Sequence, residues 1–282
     1  MSLPERIGVI GGGRMGAGIV QVVLARGSDA VMVEADEGAA RAGAERVRSG
    51  LEQASRKNSL DRPPEEFMAH LAVGTDPALL AGCGLVVEAV FEDPQLKMSV
   101  LGRAGSAVGP DAVLATNTSS ISIDELAVAL SDPGRFLGMH FFNPVPVSSL
   151  VELVQGEATR PEVVEAARGW VGELGKTPVV VRDRPGFATS RLGVLVGLEA
   201  VRMLEEGVAS AQDIDTAMEL GYRHPMGPLR LTDLVGLDVR LGIARYLAER
   251  LGERFQPPRL LVEKVERGEL GRKAGRGFYD WE

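Results

Sequence analysis

Residues 7–18 read IGVIGGGRMGAG, a β-branched run that passes directly into glycines at 11, 13 and 16. In that spacing the first glycine permits a tight strand-to-helix turn, the second lets backbone approach a pyrophosphate, and the third allows a helix to pack closely on a sheet. The helix should begin near Arg14, run through GIVQVVLARG and stop at Gly27. Its N-terminus would then face the phosphates. Gly11, Gly12, Gly13, Arg14, Met15 and Gly16 are the first candidate cofactor contacts, with Arg14 adding positive field. Spacing alone would also fit an ordinary glycine turn; here a strand precedes it and a helix follows.

Working outward, short apolar runs recur: AVMVE at 30–34, LVVEAVF at 85–91, AVLATN at 112–117, FLGMHFF at 136–142 and PVVVRD at 178–183. Most are apolar on both faces, as strands covered by helices on two sides must be. The fold expected is therefore α/β, a Rossmann-type doubly wound parallel sheet. A helical excursion from about Asp36 to Leu71, interrupted at Pro63 and Pro64, separates AVMVE from LVVEAVF and would form an arm over a cofactor cleft. Beyond Pro185 and Gly186 the strand signals stop. RLGVLVGLEAVRMLEEG, AQDIDTAMELG and PLRLTDLVGLDVRLGIARYLAERLG read as amphipathic helices, the second opened by Ser210 with Asp213 as an acidic variant of a capping box. The division expected is a nucleotide-binding domain over residues 1–183 and an all-α C-terminal domain over 184–282.

A chain of 282 residues exceeds the usual single-domain size, and its 45% apolar and 25% charged composition is that of a folded globular protein. A formal net charge of −8 argues against a nucleic-acid surface, which needs clustered Lys and Arg. Cys83 is the single cysteine, so no internal disulfide can form; in GCGLVVEA it reads as a small apolar residue leading into a buried strand. No apolar run approaches the ~18 residues of a membrane span, and a strand begins within about six residues of the start, where a secretory leader would lie. No membrane association and a cytoplasmic location are expected. No cluster of His, Cys, Asp or Glu has metal-ligand spacing.

Glu34 closes the second strand, 23 residues after Gly11, where an acidic side chain accepts hydrogen bonds from both adenine-ribose hydroxyls. Its charge repels a 2′-phosphate, and no Arg or Lys follows before Arg41. The cofactor expected is NAD, not NADP.

Residues 138–152 read GMHFFNPVPVSSLVE and set His140, one of three histidines, ahead of Glu152. An imidazole with a pKa near ~6.5 can take a hydroxyl proton at neutral pH and return it, and a carboxylate beside it selects the tautomer and stabilises the imidazolium. The bland alternative is a packed strand histidine with Glu152 solvated elsewhere. A nucleotide cradle together with a base and its acidic partner points to redox chemistry.

With the glycine turn, NTSS at 117–120, HFFNPVP at 140–146, PGF at 185–187, HPMGPLRLTDLVGLD at 224–238 and GRKAGRGFYDW at 271–281 in that order, the sequence resembles the L-3-hydroxyacyl-CoA dehydrogenases over nearly its whole length. The resemblance implies NAD-dependent oxidation of a (3S)-3-hydroxyacyl-CoA to the 3-oxoacyl-CoA, in a cleft between the two domains. It also implies short substrates such as 3-hydroxybutyryl-CoA, a setting in fatty-acid metabolism, and a homodimer formed through the helical domain. On the same grounds His140 would be the catalytic base and Glu152 its partner, Ser119 would contact substrate and nicotinamide, and Asn143 would bond near both. Asn117 would help position the cofactor, Glu92 and Lys97 would lie on the nicotinamide-ribose side, and Lys273 would be a further cofactor contact. Lys57 would meet the CoA phosphates, with Arg46, Arg48 and Arg56 adding field. Each of these charges otherwise reads as an ordinary surface residue.

Two positions depart from the family. After PGF the family carries an asparagine of the catalytic set, and this chain has Ser190, which is shorter and cannot donate and accept through separate atoms; Thr189 or a bridging water would have to assist. Glu34 stands where aspartate is usual, with the same charge and a longer reach. The same His, Glu and Asn arrangement also suits a gulonate-type dehydrogenase of free hydroxy or sugar acids, and lens crystallins of this lineage keep the fold as non-catalytic NAD-binding proteins. Intact His140 and Glu152 argue against the crystallin alternative. His70 and His224 read as structural or exposed.

Overall fold

In the computed structural model, which describes residues 2–282, the run before the glycines is β1 (Arg6–Ile10), buried from its second residue onward. It is followed by β2 (Asp29–Val33), β3 (Leu71–Gly74), β4 (Leu85–Glu88), β5 (Val113–Thr116), β6 (Phe136–Phe141), β7 (Leu150–Gln155) and β8 (Thr177–Arg182). These form one eight-stranded sheet in the order β3-β2-β1-β4-β5-β6-β7-β8. Successive strands step outward from β1 to β3, and the chain then crosses back to place β4 on the other side of β1. That reversal makes the space beyond the carboxyl ends of β1 and β4 the natural ligand site of such a sheet.

The connecting helices of this first unit, Met1–Asp183, are α1 (Arg14–Ala25), α2 (Glu37–Arg56), α3 (Pro64–Met68), α4 (Pro94–Ala107), α5 (Ile123–Ala127) and α6 (Pro161–Glu173). The stop expected for α1 is realised by Gly27 at φ +87°, a left-handed conformation that glycine adopts without strain. Asp36 caps α2, its carboxylate accepting the Ala39 N–H at 2.8 Å, and Glu37 and Arg56 complement the helix dipole at its two ends. The helix buries Val47 and Leu51, each burial worth about 1.5–3 kcal/mol, and packs on α1 and β3. The excursion expected as an arm is therefore a packed crossover helix. The excursion ends where β3 begins, at Leu71, a strand too short and too half-buried to stand out in the sequence.

The sheet departs from the all-parallel expectation at one pair. β7 runs antiparallel to β6 and parallel to β8, so the sheet is mostly parallel with one reversed junction. The chain turns back through residues 142–149, where Pro144 and Pro146 prevent β6 from continuing. LVELVQ carries no clear strand signal because an acidic residue interrupts its apolar run. Glu152 is nevertheless fully buried within it.

The second unit, Arg184–Glu282, is helical: α7 (Thr189–Glu205), α8 (Ala211–Thr216), α9 (Pro228–Val235), α10 (Leu237–Leu251) and α11 (Arg259–Glu266) surround Val194, Leu198, Leu229, Leu237 and Leu247. The single helix expected over 228–252 is two, because Gly236 at φ +106° turns the chain between α9 and α10. Ser210 caps α8 as its sequence suggested, accepting the Asp213 N–H at 3.1 Å and donating to Asp213 Oδ2 at 2.6 Å. Buried Asp233 clips the C-terminal tail by accepting from the N–H groups of Phe278 and Tyr279 and from the Trp281 indole. Among the described residues no helix is long and apolar enough to cross a membrane.

Candidate active site

The glycine turn bends where β1 meets β4. Gly11 adopts φ +94°, and a Cβ there would stand 2.9 Å from the Ala89 carbonyl oxygen that follows β4. A Cβ on Gly16 would overlap the carbonyl of Gly11 itself, so the third glycine is what lets α1 begin this close to the strand. Gly13, the residue before α1, has open space where its side chain would be. It lies exposed at the helix N-terminus, the place from which backbone N–H groups hold phosphate. Gly11, Gly13, Arg14, Met15 and Glu34 line a cavity of about 590 Å³.

Glu34 follows β2 directly. Its Oε1 accepts the Gly12 N–H at 2.5 Å and its Oε2 the Ala35 N–H at 3.3 Å. The carboxylate is thereby aimed along the glycine turn, with both oxygens retaining lone pairs for ribose hydroxyls. Arg46 reaches the same turn from α2, donating from Nη1 to the Gly12 carbonyl at 3.1 Å.

At the other side of the switch, His140 and Glu152 are directly opposed residues of β6 and β7. Their side chains share one face of the sheet, with His140 Nδ1 3.1 Å from Glu152 Oε2. Both are buried, His140 at 5% exposure and Glu152 at 0%. Nε2 faces the Ser119 hydroxyl at 3.2 Å, and the ring packs against Phe142 with centroids 4.3 Å apart. A neutral imidazole fixed in this way by a carboxylate on Nδ1 offers a lone pair at Nε2.

Ser119 and Asn117 follow β5. The Asn117 side-chain carbonyl accepts the Phe141 N–H at 2.9 Å, tying the end of β5 to the residue after His140. Glu92 accepts the Ser119 N–H at 2.9 Å and the Thr118 hydroxyl at 2.5 Å through one oxygen. Lys97 differs from the expectation of a cofactor contact, because its side chain is wholly buried. Its ammonium lies 2.8 and 3.0 Å from the two oxygens of Glu88, 3.2 Å from the Asn117 carbonyl and 3.4 Å from Glu92 Oε2. Glu88 in turn accepts from the Thr116 hydroxyl at 2.6 Å and the Val90 N–H at 2.6 Å. Burial pushes its carboxyl above the usual range against the pull of Lys97 and these donors. Glu88 belongs to no motif, and its one signal in the sequence is an acid inside LVVEAVF: a charge in a buried strand requires a partner.

Asn143 lies exposed at the start of the reversing turn. With Arg14, Arg46 and exposed Lys57 it lines a second cavity of about 740 Å³ between α1, α2 and that turn. The turn is held by Lys176, which donates to the carbonyls of Val145 at 2.6 Å and Ser148 at 2.5 Å. Burial, with Arg26 nearby, pulls the Lys176 ammonium below its usual range. Of the other arginines expected to add field, Arg48 pairs with Glu45 at 3.8 Å and Arg56 is exposed at the end of α2.

Ser190 and Lys273 belong to the helical unit. Ser190 is half-buried in the first turn of α7, beside Thr189. Lys273 pairs with Asp238 at 2.6 Å. His70 lies in the turn before β3, not in a helix, and its Nδ1 is 2.7 Å from Asp29 Oδ1. His224 is exposed and Cys83 is buried. Among the described residues no group of His, Cys, Asp and Glu could hold a metal.

A glycine cradle at the switch point, an acid at the end of β2 and a buried imidazole held by a carboxylate define a Rossmann-type NAD-dependent oxidoreductase. Residues 6–184 match the 3-hydroxyacyl-CoA dehydrogenase NAD binding domain and residues 186–281 the 3-hydroxyacyl-CoA dehydrogenase C-terminal domain, so the chain belongs to the 3-hydroxyacyl-CoA dehydrogenase family. It is 43% identical over 281 residues, 98% of each chain, to a 3-hydroxybutyryl-CoA dehydrogenase of Mycobacterium tuberculosis. The crystal structure of FadB2 from M. tuberculosis superposes with a TM-score of 0.95 at 42% identity, covering 100% of both chains. That of the (S)-3-hydroxybutyryl-CoA dehydrogenase of Ralstonia eutropha gives 0.93 at 38% identity, again over 100% of both.

Proposed function

We propose that this protein catalyses the NAD-dependent oxidation of a (3S)-3-hydroxyacyl-CoA to the 3-oxoacyl-CoA, and the reverse, on short acyl groups such as 3-hydroxybutyryl. The observation that carries the reading is His140, held between Glu152 Oε2 and Ser119 Oγ at the carboxyl end of β6. A carboxylate can only accept, so the Nδ1 hydrogen faces Glu152 and the Nε2 lone pair faces the serine. Nε2 takes the proton of the C3 hydroxyl in oxidation and returns it in reduction, while Glu152 balances the imidazolium charge. NAD, when bound, supplies the acceptor for the C3 hydrogen as hydride. Gly11, Gly13 and the α1 N-terminus would hold its pyrophosphate and Glu34 its adenine ribose. Lys57 and Arg46 supply positive charge at the second cavity for CoA phosphates, and Ser190 supplies a hydroxyl where the family has an amide.

Relatives at 40% and 43% identity bear the 3-hydroxybutyryl-CoA dehydrogenase name, which supports the short acyl group. The direct test is NADH oxidation with acetoacetyl-CoA, compared with free acetoacetate. Turnover of the thioester only is expected, falling about 10²-fold in His140→Gln with NADH affinity retained. No turnover, or an equal rate on the free acid, would overturn the reading.

The helical unit exposes Leu192 and Val196 of α7 and Leu231, Leu234 and Val235 of α9 at helical spacing, which supports a homodimer formed through it. Sedimentation of the protein and of Leu234→Glu tests this: a dimer is expected, with weaker association in the variant. A cytoplasmic location belongs to the same reading and is tested by cell fractionation.

A further inference from the structure

The chain of contacts around His140 converges on one buried ion pair that does not face solvent. The Lys97 ammonium, in the first turns of α4, touches Glu88 through both carboxylate oxygens, the Asn117 carbonyl and Glu92 Oε2. Two of those partners connect it to His140 or its strand neighbour. Glu92 fixes the Ser119 N–H, and the Ser119 hydroxyl meets Nε2. Asn117 accepts the N–H of Phe141, the residue next to His140 in β6. Thr116, paired with Glu88 across β4 and β5, donates to the same carboxylate and anchors the end of β5 from which Asn117 and Ser119 extend. Glu88 and Lys97 are each 0% exposed, so moving either shifts a whole set of hydrogen bonds at once.

We propose that Glu88 and Lys97 are a positioning pair, which through Asn117, Glu92 and Ser119 sets where the His140 imidazole lies relative to the reacting carbon. The inference rests on the dehydrogenase reading and adds to it two residues that act only through others. A pair kept merely for stability behaves differently: breaking it destabilises, whereas neutralising both members restores the fold and with it the activity.

Glu88→Gln, Lys97→Met and the double variant Glu88→Gln/Lys97→Met separate the two roles, since glutamine keeps the shape of the side chain and one carbonyl oxygen for the Val90 N–H, while its NH₂ can donate to the Thr116 hydroxyl oxygen. The single variants should lower Tm and the double variant should recover much of that loss. The double variant should nevertheless remain about 10²-fold below wild type in kcat on acetoacetyl-CoA, the scale for an ångström of misplacement, with KM changed less than about threefold. Its His140 ring resonances, resolvable among three histidines, should shift from those of the parent protein. Recovery of wild-type kcat together with stability, or unmoved His140 resonances, would overturn the proposal. The spectra hold even if the parent protein proves inactive on acetoacetyl-CoA, an outcome that sinks the proposed activity instead.

Discussion

Glu152 faces His140 across the one antiparallel junction of the sheet, its Oε2 3.1 Å from the imidazole Nδ1 and its side chain fully buried. Register alone brings them together. A slip of one residue in β7 would send the carboxylate to the opposite face and present Val151 or Leu153 to the ring.

Glu152→Gln preserves the shape of the pair and removes its charge, so the amide can no longer balance an imidazolium and can turn its NH₂ toward Nδ1. The expected result is a fall in kcat of about 10²–10⁴-fold, the range over which triad carboxylates act, with NADH binding little changed. Stopped-flow or steady-state NADH oxidation beside NADH fluorescence titration reads both. A kcat within threefold of wild type would remove the carboxylate from the chemistry.

The glycine turn makes separable predictions at Gly16 and Gly13. A methyl on Gly16 runs into the Gly11 carbonyl, so Gly16→Ala should destabilise the fold by about 1–3 kcal/mol and weaken NADH binding together. A methyl on Gly13 meets nothing within 4 Å, so Gly13→Ala should leave Tm unchanged and weaken NADH binding alone. Thermal melts with and without NADH distinguish these. Equal Tm losses in the two variants would contradict the division of labour.

Much of this arrangement is legible in the sequence. The glycine spacing marked the start of α1, Gly27 its stop, and the apolar runs marked six of the strands, because local conformational limits and burial on both faces write themselves into short stretches. β3 and β7 were not legible: one is four residues long at a sheet edge, and the other carries a glutamate whose burial only pairing with β6 explains. The site shows the same division. Residues that meet a ligand through motif geometry, such as Gly11 and Glu34, announced themselves, whereas Glu88 and Lys176 owe their roles to partners distant in sequence that local patterning does not reveal.

Cofactor choice should turn on Glu34. Its carboxylate sits on the Gly12 N–H within the cavity lined by Gly11 and Gly13, where a 2′-phosphate would meet like charge. Glu34→Ala removes both the ribose acceptor and the repulsion. KM for NADH should rise, and the NADPH to NADH ratio of kcat/KM should increase about tenfold, equivalent to ~1.4 kcal/mol. An unchanged ratio would show that discrimination lies elsewhere.

Asp183 closes the first unit, its Oδ2 accepting the Ser122 hydroxyl at 2.6 Å and the Asp124 N–H at 3.0 Å. Burial, with the Asp124 charge nearby, holds its carboxyl above the ordinary range, outweighing these donors and the Ile123 N–H. The folded protein therefore keeps a proton on Asp183 at pH values where the unfolded chain, with an aspartate near ~3.9, has released it. Across that window the native state binds more protons, so this residue's contribution to stability falls as pH rises from about 4 to the raised folded value, and the full penalty persists above it. In Asp183→Asn the contribution is absent, while the amide carbonyl can still accept from Ser122 and Asp124. Urea unfolding of both proteins over a pH series should show the variant gaining on wild type as pH rises through the window and holding a constant difference beyond it. A difference that shrinks with rising pH would mean that the donors, not burial, dominate at Asp183.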